Sequence, residues 1–274
     1  MSVVGAPPDA SVPSAWTDEL RLALEIAAQA GDLIVGLQDR LVAIEHKSAT
    51  DVVTEADHQA EALIIGALRS SFPGDAFLAE ESGRSIASGA GTGRTWVVDP
   101  LDGTVNYANG IPLYCVSIAL VEAGRPVVGV VRDPIRGESF SAVADGAATL
   151  DGRPIHASSK ERLRDCVISL AVKGDRVVER WPRIRSAVRV PRALGTAALS
   201  LAYVANGRFD AFVQQTGLSL WDIAAAGLIA ERAGAVVTDA VGGPWFGLDA
   251  PERSIGLVAA PPRHHAAIIA LLRD

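Results

Sequence analysis

The amino-acid sequence predicts a mixed α/β fold in which sheets are layered with helices. Apolar residues recur at helical spacing in the opening quarter, short β-rich runs separated by Gly and Pro turns follow Gly74, and both patterns alternate towards the end. The chain has 274 residues, of which 49% are hydrophobic and 21% charged, which suffices for a sizeable buried core. We expect one domain over residues 16–274.

A tail and two helices should open the chain. Residues 1–15 are rich in Pro, Ala and Ser, and we expect a flexible tail there. After Thr17 come two acidic residues and then apolar residues at helical spacing, which predicts a helix. A second amphipathic helix is expected from about Thr54, and it should stop near Phe72-Pro73-Gly74. Helices therefore dominate the opening quarter.

Strands should dominate the middle of the chain, and strands and helices should alternate after it. The β-rich runs are 76–79, 96–98, 115–121, 127–131, 139–143 and 167–172. Later patterns predict helices over 196–205, 221–233 and from about His264, with strands over 209–213 and near Val236 and Leu257. This order indicates sheets layered with helices in one domain.

Composition and charge exclude several classes of protein. There are 25 basic and 32 acidic residues, a net charge of -7, and the basic residues are scattered, so we expect neither nucleic acid nor membrane as a partner. No apolar run approaches the roughly 20 residues that cross a bilayer. The two cysteines, Cys115 and Cys166, and the lack of a secretory signal pattern at the start favour a reducing cytoplasm.

The segment most informative about function joins an apolar strand to two carboxylates. Trp96-Val97-Val98 runs directly into Asp99-Pro100-Leu101-Asp102-Gly103-Thr104. Strand ends are where α/β enzymes place their chemistry, and two carboxylates this close can hold hard cations through oxygen. Gly103 lets the backbone pass close to a ligand. An ordinary polar turn is the alternative interpretation.

Two further acidic positions follow the same pattern. Glu80 follows the strand-like run 76–79, and Asp222 opens a helix. Taken alone, Glu80 is explained equally well as a solvated strand end and Asp222 as a helix cap. Together the four carboxylates, in a chain without a Cys/His zinc pattern, favour an oxygen-ligand site for Mg²⁺.

These motifs resemble those of the inositol monophosphatase family of Mg²⁺-dependent, Li⁺-sensitive phosphatases, which shares its fold type with fructose-1,6-bisphosphatase. The resemblance covers nearly the whole chain after the tail. The matching segments are Asp51-Val52-Val53-Thr54-Glu55-Ala56-Asp57, Ala79-Glu80-Glu81-Ser82, Asp99 to Thr104, Gly195-Thr196-Ala197-Ala198 and Trp221-Asp222-Ile223-Ala224-Ala225-Ala226-Gly227. Several motifs in the right order are more specific than any one of them.

The resemblance implies an αβαβα layered sandwich, a homodimer, and hydrolysis of a small phosphate monoester by a metal-activated water with two or three Mg²⁺ ions. It implies metal ligands at Glu80, Asp99, the carbonyl of Leu101, Asp102 and Asp222, and catalytic roles for Asp57, Glu80 and Thr104. Asp57 would orient Thr104, whose hydroxyl would align the water. Substrate contacts are expected from Asp102, Gly103, Thr104, Gly195, Thr196, Ala197 and Gln215.

The substrate is the least determined part of this prediction. Inositol-specific members carry a Glu seven positions before the Asp of the second signature, and this chain has Gln215 there. Inositol 1-phosphate is the leading candidate, and histidinol phosphate, fructose 1,6-bisphosphate and 3'-phosphoadenosine 5'-phosphate are alternatives with the same metal chemistry. A non-catalytic binding protein on the same fold is a remote alternative, because such a protein is expected to have lost a ligand or Thr104.

Overall fold

The computed structural model describes residues 15–38, 44–48, 51–85, 92–171 and 182–273. The tail predicted for residues 1–15 therefore lies, except for Ala15, outside the described residues. The helices are α1 (Thr17–Gln38), α2 (Glu55–Ser71), α3 (Thr104–Ala108), α4 (182–187), α5 (Ala197–Ala205), α6 (Leu220–Arg232) and α7 (Pro262–Arg273).

Helix α2 shows how local sequence sets these boundaries. Thr54 caps the helix: its hydroxyl accepts from the N–H of Ala56, and Asp57 accepts from the N–H of Thr54 at 2.8 Å. This reciprocal capping satisfies donors that a helix start leaves unpaired. The helix ends at Ser71, before Phe72-Pro73-Gly74, as its sequence predicts.

The larger sheet has eight strands in the order β10-β9-β8-β7-β6-β5-β3-β4. Strands β3 and β5 pair in parallel and the other neighbours pair antiparallel. The strands are β3 (Ala76–Ala79), β4 (Gly83–Ser85), β5 (Arg94–Asp102), β6 (Cys115–Glu122), β7 (Arg125–Asp133), β8 (Glu138–Val143), β9 (Thr149–Leu150) and β10 (Arg153–Pro154).

The smaller sheet has five strands in the order β12-β11-β13-β15-β14. Strand β11 pairs in parallel with β12 and β13, and β15 pairs antiparallel with β13 and β14. The strands are β11 (Val167–Ala171), β12 (Val190–Arg192), β13 (Ala211–Leu218), β14 (Val236–Asp239) and β15 (Ile255–Ala260).

In the part of the chain that the structure describes, three hydrophobic cores hold five layers together. Helices α1 and α2 pack on one face of the larger sheet around Ile26, Ile64 and Trp96. Helices α5 and α6 fill the space between the two sheets. Helix α7 covers the outer face of the smaller sheet, where Ile168 and Ile268 share the third core. The predicted mixed α/β fold and αβαβα layering are therefore confirmed.

Some elements differ from the sequence prediction. A two-stranded antiparallel hairpin, β1 (Ile44–Ser48) and β2 (Asp51–Thr54), lies between the first two helices, where no strand was expected. Strand β13 begins two residues later than predicted and extends to Leu218.

None of the described helices combines the length and the apolar character that crossing a bilayer requires.

Candidate active site

Asp99 and Asp102 both lie at the carboxyl end of strand β5 and are buried. Residues three apart in a regular strand point to opposite faces of the sheet. The pairing of β5 with β6 shifts register between Asp99 and Asp102. This irregularity lets two carboxylates from one strand line the same cavity.

Asp222 brings the third carboxylate from the start of helix α6. Its Oδ2 accepts from the backbone N–H of Ser219 at 2.7 Å, so it does cap the helix. One carboxylate oxygen from each of Asp99, Asp102 and Asp222 also lies within 4.8 Å of the others. Asp222 therefore both caps helix α6 and belongs to the acidic cluster.

The electrostatics of this cluster are unfavourable in the absence of a cation. Burial raises the pKa of Asp99 well above its usual range, and the nearby carboxylates of Glu80, Asp102 and Asp222 raise it further. Burial also raises the pKa of Asp102, and hydrogen bonds from Thr196 and Ala198 oppose that shift. A positive ion beside these oxygens would favour the ionised forms of both carboxyl groups.

Asp102 is fixed by the beginning of helix α5. Its Oδ2 accepts from the hydroxyl of Thr196 and from the backbone N–H of Ala198 at 2.7 Å, and Cys115 Sγ lies 3.7 Å away. Thr196 also caps α5 by accepting from the N–H of Leu199. The predicted substrate residue Thr196 thus lies in the cavity wall with its hydroxyl directed at Asp102.

Thr104 and Asp57 form the second predicted pair. Thr104 Oγ1 lies 3.0 Å from Asp57 Oδ1 and 2.9 Å from the carbonyl oxygen of Leu101, and it can donate to either. Asp57 Oδ2 accepts from both the N–H and the hydroxyl of Thr54. Burial raises the pKa of Asp57, while the hydrogen bonds from Thr54 and Thr104 lower it. Asp57 is therefore held by the cap of α2 while it contacts Thr104.

The backbone conformation between these groups requires a glycine at position 103. Its φ is 100°, in the left-handed region that disfavours side chains, and it immediately precedes helix α3. A Cβ at this position would come within 2.9 Å of the carbonyl oxygen of Leu113. Glycine thus allows the chain to turn from strand β5 into α3 beside the carboxylates.

A cavity of about 380 Å³ brings most of the predicted site residues together. Asp57 lies behind its wall, in contact with Thr104. The predicted residues that line the cavity are Glu80, Asp99, Leu101, Asp102, Gly103, Thr104, Gly195, Thr196, Ala197 and Asp222.

Gln215 is the predicted substrate-binding residue that the cavity wall does not include. Gln214 lines the cavity and is buried, whereas Gln215 is half-buried and is not part of the cavity wall. Phe212 and Gln214 both face the cavity, and because strand residues alternate between faces, Gln215 is expected on the other side. The structure therefore does not place Gln215 in the wall of this cavity, and the substrate contact expected from counting back from Asp222 stays a prediction.

The structure adds cavity residues that sequence reasoning missed. Ser169, Ser200 and Gln214 are buried polar residues in its wall, and Ser219 and Arg253 lie in the part near Asp222. The alternation of side chains along β11 and β13 could have indicated Ser169 and Gln214. The sequence carries no comparable signal for Arg253, whose backbone N–H donates to Ser219 Oγ at 3.0 Å.

The donor set of the cavity fits a hard cation. The clustered ligand atoms of Asp99, Asp102 and Asp222 are all carboxylate oxygens, and Leu101 and Glu80 line the same cavity. Mg²⁺ prefers oxygen ligands of this kind. Glu80, Asp99, Leu101, Asp102 and Asp222 are the residues that would hold it.

Comparison with known proteins places the chain in a family. The sequence profile of the Inositol monophosphatase family matches residues 16–274. The Nus factor SuhB of Pseudomonas aeruginosa is 40% identical over 237 residues, which cover 83% of this chain and 87% of that protein. Inositol monophosphatase 2 of Solanum lycopersicum is 39% identical over 231 residues, which cover 81% and 87%.

Solved structures give the same relationship. The extragenic suppressor protein suhB of Bartonella henselae superposes with a TM-score of 0.85 at 33% identity, over 93% of this chain and 98% of that one. The Thermotoga maritima IMPase superposes with a TM-score of 0.83 at 32% identity, over 93% and 97%. Family profile, relatives and fold agree, and the chain belongs to the inositol monophosphatase family.

Proposed function

We propose that this protein hydrolyses a small phosphate monoester with Mg²⁺ as cofactor, and that inositol 1-phosphate is its preferred substrate. The observation that carries the proposal is the meeting of Asp99, Asp102 and Asp222 in one cavity with the Asp57–Thr104 pair beside them. Some relatives are named Nus factor SuhB and others inositol monophosphatase. The proposal therefore depends on this cavity and not on the name of a relative.

The residues of the chain have distinct parts in this chemistry. When bound, Mg²⁺ would neutralise phosphate charge and acidify a water molecule. Thr104 has one proton and two lone pairs, so while it donates to Asp57 its oxygen can accept a hydrogen bond from the attacking water. Backbone N–H groups of Gly103 and Thr104, and the positive end of helix α6, would face the phosphate.

Phosphate release from a panel of esters tests the proposal. The panel contains inositol 1-phosphate, histidinol phosphate, fructose 1,6-bisphosphate and 3'-phosphoadenosine 5'-phosphate, each with and without Mg²⁺. We expect Mg²⁺-dependent release with the highest kcat/KM for inositol 1-phosphate. A higher kcat/KM for another ester would assign that substrate instead, and no release from any ester would contradict a phosphatase function.

Thr104→Val is expected to lower turnover by about 100-fold or more, because it removes the hydroxyl that orients the water. Valine keeps the branched shape of threonine, so the fold should survive. Thr104→Ser keeps the hydroxyl and should retain turnover within about tenfold. Initial rates of phosphate release measure both variants. A valine variant as active as the serine variant would exclude the proposed part of Thr104.

Gln214→Leu is expected to lower kcat/KM for a polyol phosphate by about 2- to 12-fold, the worth of one neutral hydrogen bond. Its amide lies in the cavity wall, where it also donates to the carbonyl oxygen of Thr216 at 3.0 Å. Gln215→Leu is the matched control and should change kcat/KM less than twofold. Specificity ratios measured across the ester panel decide between the two residues, and a larger effect at Gln215 would support the sequence-based assignment.

We propose that residues 16–274 act as one phosphatase domain, which the span of the family match supports. The homodimer, the inhibition by Li⁺ and the cytoplasmic location stay predictions that derive from the resemblance and from composition.

A further inference from the structure

Glu61 is a buried acidic residue outside the cavity wall, and no motif assigned it a function. It lies on helix α2 one turn after Asp57. Its Oε2 accepts from the backbone N–H of Glu81 and its Oε1 from that of Ser82, each at 2.9 Å. A carboxylate held this way by two adjacent N–H groups is a specific contact between the helix and one short segment of chain.

That segment directly follows Glu80, the predicted metal ligand that comes first in the sequence. Strand β3 pairs with β5 up to Ala79 opposite Val98, and the N–H of Glu80 donates to the carbonyl oxygen of Val98 at 3.2 Å. Beyond Glu80 the chain leaves β5 and Glu61 accepts its next two N–H groups. Glu80 is thus fixed by β5 on one side and by Glu61 on the other.

The chemistry of these contacts requires a carboxylate. Two consecutive N–H groups need two acceptors, and an ionised Glu offers both. Glutamine has nearly the same shape but offers one acceptor and would place its NH₂ group against the second N–H. Residues four apart share a helix face, so α2 supports the site twice, at Thr104 through Asp57 and at Glu80 through Glu61.

We propose that Glu61 is a positioning residue that orients Glu80 for cation binding. The inference rests on the proposed function, because it takes Glu80 as a ligand of Mg²⁺. Glu80 lines the same cavity as Asp99, and its negative charge raises the pKa of Asp99. Partners that orient metal ligands typically contribute about 10- to 100-fold in metal affinity, and Glu61→Gln should weaken Mg²⁺ binding by about tenfold or more.

The test is a calorimetric titration of Mg²⁺ into the metal-free protein without substrate. Glu55→Gln is the matched control, since it makes the same change on the exposed surface of the same helix, where Glu55 contacts Gln59. We expect the control to bind Mg²⁺ within twofold of the unchanged protein and Glu61→Gln to bind about tenfold more weakly. A thermal unfolding curve for each variant shows that the protein is folded at the titration temperature.

A double-mutant comparison shows whether the effect passes through Glu80. In a Glu80→Ala background, adding Glu61→Gln should change the Mg²⁺ affinity less than twofold, because the ligand that Glu61 orients is gone. An equal decrease in Mg²⁺ affinity on adding Glu61→Gln to the unchanged protein and to the Glu80→Ala protein would overturn the proposal. Unchanged Mg²⁺ affinity in a folded Glu61→Gln protein would also overturn it. If Glu61→Gln does not fold, Glu61→Asp replaces it in the test. Aspartate keeps the negative charge, but its side chain is one methylene shorter, so its two acceptor oxygens lie farther from the N–H groups.

Failure of the proposed function is distinguishable from failure of this inference. A protein that binds Mg²⁺ but releases no phosphate would contradict the phosphatase proposal and still allow the titration of Glu61→Gln to be judged. An unchanged protein that binds no Mg²⁺ would contradict both. Retained binding in Glu61→Gln, with normal phosphatase activity, would contradict the positioning role alone.

Discussion

Asp99→Asn is expected to lower turnover by about 100-fold or more and to raise the thermal stability of the metal-free protein. Asparagine keeps the oxygen that accepts from the N–H of Leu101 at 3.0 Å, and it removes a buried charge that faces Glu80, Asp102 and Asp222. Loss of that charge weakens cation binding, and it also ends the repulsion. Activity and stability should therefore change in opposite directions.

The stability effect has a definite pH dependence. The pKa of Asp99 is higher in the folded protein than in the unfolded chain, so its favourable contribution is present at acid pH and is lost as the pH rises through the folded-state pKa. The stability gained by Asp99→Asn should therefore grow from acid to neutral pH. Thermal unfolding of the metal-free proteins measures it. Asp32→Asn, on the exposed face of α1, is the control and should change neither quantity.

An Asp99→Asn protein that keeps wild-type turnover would contradict the assignment of Asp99 as a metal ligand. An unchanged or lower stability of the metal-free variant would contradict the electrostatic description of the cluster. The two readouts separate these conclusions, because turnover depends on the loaded site and unfolding of the metal-free protein does not.

Removal of divalent cations is expected to abolish turnover completely, and added Mg²⁺ should restore it. Four carboxylates around one cavity repel an anionic substrate until a cation neutralises them. A cation that binds the folded protein and not the unfolded chain also stabilises the fold, so the melting temperature should increase with Mg²⁺ concentration. Phosphate release and thermal unfolding in excess chelator, then in excess Mg²⁺, measure both effects.

The Asp99→Asn protein is the control for this experiment. Its melting temperature should respond much less to Mg²⁺ than that of the unchanged protein, since it lacks a central ligand. Full activity in excess chelator would exclude a metal-dependent mechanism. Activity that disappears with the metal while the melting temperature stays constant would indicate that the cation acts on the substrate and is not held by the protein.

Local sequence was sufficient to predict most regular elements of the fold. The cap at Thr54 and the turn at Phe72-Pro73-Gly74 define α2 without any tertiary contact. The β1–β2 hairpin was missed because its pattern is short and has no strong turn signal. Strand β13 was predicted too short because Gln214, Gln215 and Thr216 interrupt the apolar pattern by which a strand is recognised.

The candidate site was predictable where chemistry concentrates in a short motif. The segment from Asp99 to Thr104 indicates a cation site by itself, and the structure brings it together with Asp222. Glu61 could not be found this way, because its partners are backbone N–H groups about 20 residues away. Gln214 was missed because a count along the chain does not determine which face of a strand a residue occupies.

The origin of the carboxylates in two different layers has a consequence for the order of assembly. Asp99 and Asp102 end a strand of the larger sheet, whereas Asp222 follows strand β13 of the smaller sheet on helix α6. A partly folded chain in which the larger sheet has formed but helix α6 has not packed on it therefore holds two of the three clustered acids. The three-carboxylate cluster exists only after α6 has docked on the larger sheet, so we expect tight ion capture to report that docking step.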